Sequence, residues 1–78
     1  MGGNLLKMSE ADELFDELDY IKKHDNKRRI LYKRGFDKIE FFHKYKDIAI
    51  DTTVNIEELI EELKAINLKC KELGWVEE

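Results

Sequence analysis

Apolar residues in this chain recur at helical spacing at both ends and at the two-residue spacing of a strand in between. The change of period restricts the fold more than any other feature, because helices and strands must share one small core. The clearest stretch is C-terminal. Ile56, Leu59, Ile60, Leu63, Ile66, Cys70 and Leu73 trace one helical face. Asn55 with Glu58 makes a capping-box-like pair at its start. Gly74 stands where a left-handed cap belongs, and Trp75 is placed to fold back on Cys70. The spacing predicts a helix over 56–73. Near the N-terminus Ser9, three residues before Asp12, offers a hydroxyl to a free helix N–H. Ala11, Leu14, Phe15 and Leu18 then form a stripe whose opposite side is acidic. That predicts a short helix over 10–18, which persists only if its stripe docks.

Between them, Tyr20-Ile21-Lys22-Lys23 reads as a weak strand and Arg29 to Lys33 as a clearer one, closed by Arg34-Gly35-Phe36-Asp37. Gly35 supplies the positive φ of a tight connection. Lys38 to Tyr45 alternates Ile39, Phe41 and His43 against Glu40, Phe42 and Lys44, and Ile48-Ala49-Ile50 forms a last strand. Such short turns join antiparallel neighbours, so the expectation is a meander of three or four strands. Ile30, Tyr32, Ile39, Phe41, Ile48 and Ile50 share one face, on which both helices pack. The fold class is therefore α+β, a two-layer α-β-β-β(-β)-α domain over residues 9–76, preceded by a flexible leader over 1–8. By alternation the other face shows Arg29, Leu31, Lys33, Glu40, Phe42 and Lys44 to solvent.

Charge follows the same partition. Residues 22–46 hold ten of the fourteen Lys/Arg against three acids, a balance of +7, while residues 1–21 carry −5 and residues 47–78 carry −6. A basic sheet beside acidic helices makes a field that orients a partner. Arg29, Leu31, Lys33, Phe42 and Lys44 are the candidate partner-binding surface. Arg and aromatic residues are enriched at protein interfaces; cations interleaved with aromatics also fit single-stranded nucleic acid. The net charge of −4 and the absence of a ribonucleoprotein-type aromatic motif place a protein partner ahead of nucleic acid. A third reading is self-association through the sheet face. Glu57, Glu58, Glu61, Glu62 and Glu72 are read as a solubilising outer face of the long helix.

Chemistry is sparse. Cys70 lies on the buried stripe, Ser9 is occupied as a cap, and His24 and His43 fall on separate elements with no acid or cysteine at metal-ligand spacing. No catalytic, metal or cofactor site is expected, and the chain reads as a binding protein, not an enzyme. One cysteine fits a reducing cytoplasm, Leu5-Leu6 is no signal-peptide core, and no stretch approaches the roughly 20 apolar residues of a membrane span.

The opening run Glu10-Ala11-Asp12-Glu13-Leu14-Phe15-Asp16-Glu17-Leu18-Asp19-Tyr20, the central Ile39-Glu40-Phe41 and the closing run from Lys64 to Trp75 resemble small phage and prophage proteins of Gram-positive bacteria. Those open with an LF-x-x-LGY helix and close with a helix ending in ELGW. Asp19 stands where they often have glycine. The resemblance implies a cytoplasmic accessory protein that binds a host or phage protein, in some cases modulating or inhibiting it. It carries over no site residue.

Overall fold

Both helices end as their last residues dictate. In the computed structural model, which describes residues 8–76, α1 spans Glu10–Glu17 and α2 spans Ile56–Glu72; residues 1–7 of the expected leader lie outside the described residues. Ser9 caps α1 by accepting from the Asp12 N–H at 3.1 Å, and Asn55 caps α2 by accepting from the Glu58 N–H at 2.8 Å. At the end of α2 the Trp75 N–H donates to the Cys70 carbonyl and the Gly74 N–H to the Lys71 carbonyl, with Gly74 at φ 75°. This is a Schellman cap. The end of α1 repeats it with Tyr20 donating to Phe15 and Asp19 to Asp16. Asp19 takes the left-handed position at φ 70°, a conformation Asp tolerates better than most side chains. The departure from glycine at this position leaves the turn intact.

Four strands follow one another in space as in sequence: β1 (Ile21–Asp25), β2 (Arg29–Arg34), β3 (Asp37–Phe42) and β4 (Asp47–Asp51), all antiparallel. The meander expected from the short turns is thus four-stranded. β1 is longer than its sequence indicated, takes in His24 and Asp25, carries a register irregularity between Lys22 and His24, and is exposed along its length. The β2–β3 connection is two residues, with Gly35 at φ 59°, and leaves Phe36 exposed at its tip. β3 ends at Phe42, three residues earlier than the alternation to Tyr45 implied. Residues 43–46 are a turn closed by Lys46 at φ 59°, so Lys44 is not a sheet residue.

Register confirms the face assignment: Tyr32, Ile39 and Ile50 align across three strands, as do Ile30, Phe41 and Ile48. The core forms on this face from Phe15, Tyr20, Ile30, Tyr32, Ile39, Phe41, Ala65, Ile66 and Cys70. Phe15 stacks on Tyr32 with ring centroids 3.9 Å apart and meets Tyr20 and Phe41 edge-on. Such aromatic pairs add to the area they bury.

The long helix departs from expectation in its rotation. Its buried residues are Glu62, Ala65, Ile66, Lys69 and Cys70, whereas Ile56, Ile60 and Leu63 are 66%, 47% and 47% exposed. At 100° per residue, the buried face is centred about 75° round the helix from the apolar stripe read in the sequence. Ile50, on the helix-side face of the edge strand β4, is exposed as well.

Candidate functional site

The polar contacts that rotate α2 are centred on one arginine. The Arg34 guanidinium donates to Glu62 Oε2 at 2.9 Å, to Glu58 at 2.6 Å, to Asp37 at 2.9 Å and to the Leu18 carbonyl at 2.7 Å. It also lies 4.4 Å over the Tyr20 ring. Glu62, wholly buried, accepts further from the Tyr20 hydroxyl at 2.9 Å and the Thr52 hydroxyl at 3.0 Å. Burial, then the bond to Glu62, pushes the Tyr20 hydroxyl far above its ordinary pKa. A second cluster links the other ends of the helices. Asp12 accepts from Lys22 at 2.8 Å, from Lys69 at 3.2 Å and from Tyr32, while Glu72 accepts the Ala11 N–H at 2.9 Å. Burial alone raises the Asp12 pKa, but the bonds from Lys22 and Tyr32 and the charges of Lys69 and Lys22 outweigh it and hold the carboxyl low. Glu58, Glu62 and Glu72, expected on a solvated helix face, are structural anchors instead.

These groups satisfy one another. Among the described residues no buried side-chain nitrogen or oxygen lacks a partner, and no cluster of three or more His, Cys, Asp or Glu could hold a metal ion. The buried Cys70 thiol is pushed above its usual pKa by burial, which disfavours the nucleophilic thiolate.

The predicted binding surface is only partly assembled. Leu31, on the open face in register with His24 and Glu40, is 8% exposed. Arg29 pairs with Glu40, and the Lys33 ammonium donates to the Gly35 carbonyl. The expected free basic platform is thereby corrected: Arg29 is paired and Leu31 buried, while Lys33 keeps its charge without an ion-pair partner among the described residues. Phe42, at the end of β3, and Lys44, in the turn beyond it, do lie at the surface.

They belong to a different site. In a four-strand meander the first and third turns meet at one end of the sheet, and here the His43 N–H donates to the Arg28 carbonyl at 3.0 Å, tying the two turns together. Asn26 Oδ1 accepts from the Arg28 and Arg29 N–H groups at 2.9 and 3.1 Å, which fixes the first turn. His43 packs edge-on against Trp75, which anchors the second turn to the core. The result is a shallow concavity lined by Lys27, Arg28, Phe42, His43, Lys44, Tyr45 and one acid, Asp47. Tyr45 is 72% exposed with the Lys44 ammonium 5.3 Å from its ring centroid. Lys27 and Arg28 were missed from sequence because a turn residue has no alternation to assign its face, and Tyr45 because the alternation makes it the end of a strand. The +7 balance of residues 22–46 was the signal that pointed to them.

No protein-family model matches this chain, and neither the curated proteins nor the solved structures provide a match. No helix among the described residues is long and apolar enough to cross a membrane.

Proposed function

We propose that this chain is a non-enzymatic binding module whose turn end grips an acidic segment of a partner protein. The observation that carries the reading is the grouping of Lys27, Arg28, Lys44 and Lys46 in two tied turns beside exposed Tyr45. None of these four cations has an ion-pair partner among the described residues; Lys23, Lys33 and Lys38 of the same basic segment are likewise without one, whereas Lys22, Arg29 and Arg34 are paired. Unpaired cations around a rigid aromatic recognise carboxylates at short range and pack an apolar neighbour on the ring. A protein segment is favoured over nucleic acid because, among the described residues of this turn end, Tyr45 and Phe42 are the exposed large aromatics, and the chain as a whole carries −4. The phage-type sequence pattern supports a cytoplasmic accessory protein that modulates or inhibits the factor it binds.

The test is fluorescence anisotropy with a labelled Glu/Asp-rich peptide containing Leu and Phe, and with a labelled single-stranded oligonucleotide, at about 50 and 200 mM salt. The reading predicts peptide binding that Arg28→Glu with Lys44→Glu abolishes and Lys38→Glu, on the open sheet face, leaves intact. Tighter oligonucleotide binding with a steep salt dependence replaces it with the nucleic-acid reading. Binding of neither probe at the lower salt rejects the turn end as the site.

A further inference from the structure

We infer that α2 carries a second interaction surface, for another copy of this chain, made by Ile56, Ile60 and Leu63. These residues sit at i, i+4 and i+7 on one side of a helix that turns a different side to the core. The stripe is exposed because the bonds from Arg34, Tyr20 and Thr52 draw Glu62 inward, so the fold itself creates the unpartnered face. Charge identifies its occupant. Glu57 and Lys64 flank the stripe on the same side, one at each end, and Lys64 is engaged only by an exposed 3.2 Å contact with Glu61.

Two α2 helices crossing antiparallel about Ile60 bring Ile60 against its symmetry mate and Ile56 against Leu63 of the second copy. Glu57 then lies beside Lys64 of the second copy, twice over by the two-fold axis. A parallel arrangement instead places the Glu57 and Lys64 edges of the two copies on opposite sides of the seam, where no such pairs form. Three half-exposed aliphatic side chains per copy make too small an interface for an obligate dimer, so the association is weak and reversible. The stripe is separate from the basic turns, and the inference does not rest on what they bind.

Sedimentation equilibrium of the full chain from about 10 μM to 2 mM tests it. The inference expects the weight-average mass to rise from 9.3 kDa towards twice that value. Ile60→Glu, at a solvent-facing site, keeps the circular dichroism of the folded chain and weakens association by about tenfold or more. Glu57→Lys and Lys64→Glu each weaken it by about fivefold, and the double exchange restores it. A mass of 9.3 kDa throughout the range overturns the inference. So does association that Ile60→Glu leaves unchanged, or a double exchange that fails to rescue.

Discussion

The Tyr20 hydroxyl donates to Glu62 Oε2 across 2.9 Å, joining the residue that follows α1 to the centre of α2 inside the core. Glu62 also receives Arg34 from β2 and Thr52 from the segment after β4. One buried carboxylate thus ties both helices to β2 and to the segment after β4 at one end of the sheet. A buried charge adds little net stability when fully paired, but removing its partner leaves it stranded. Arg34→Ala should therefore destabilise the domain by about 3–5 kcal/mol, a large part of the stability of a domain this size. Tyr20→Phe, which deletes one of three donors, should cost about 1–2 kcal/mol. Urea unfolding followed by Trp75 fluorescence measures both.

The rotation of α2 was not legible in the sequence for a physical reason. Glu62 is 42 residues from Tyr20 and 28 from Arg34, and an acid flanked by Glu58 and Glu61 reads as solvated until those partners are placed. Local devices, by contrast, were readable. The Ser9 and Asn55 caps, the Gly74–Trp75 termination and the shared face of Ile30, Tyr32, Ile39 and Phe41 depend on near neighbours or on strict alternation. For the binding surface, alternation correctly placed Leu31 on the face opposite the core. It did not reveal that Arg29 pairs with Glu40 or that Leu31 is buried.

Leu31 is structural in this account. Leu31→Ala should cost about 2 kcal/mol or more and leave peptide binding unchanged in whatever fraction stays folded. Tyr45→Ala should cost less than about 0.5 kcal/mol, as is usual for exposed sites, while weakening binding. Paired melts and titrations of the two variants separate the roles.

Stability should fall at both extremes of pH. Asp12 has a folded pKa below its unfolded value, so the unfolded chain binds the extra proton. The contribution is complete above the ordinary carboxylate value of 3.8 and is lost as pH falls through that value and below it. Asp12→Asn should flatten this acid limb. Tyr20 and Tyr32 are raised, by burial first and then by Glu62 and Asp12 respectively. Their contribution is complete below 10.0 and declines as pH rises past it, so these two phenols should ionise only as the fold is lost. Alkaline titration by tyrosinate absorbance alongside circular dichroism checks the coincidence.

Asp19 carries a left-handed φ of 70° with a side chain. Asp19→Gly should relieve that strain and stabilise the domain by about 0.5–1 kcal/mol. Gly74→Ala, at φ 75° with open space around a new Cβ, should lose about 1 kcal/mol through backbone strain alone. Thermal melts of both variants give the comparison.

The claim that the tied basic turns are the binding site is tested most directly by following every backbone amide in a nitrogen-15 correlation spectrum while the acidic peptide is added. The account predicts saturable shifts concentrated at residues 26–28 and 42–46, with the Trp75 indole following through His43. Shifts concentrated instead on the open face around Lys33 and Lys38, or spread evenly over the acidic helices, would contradict it.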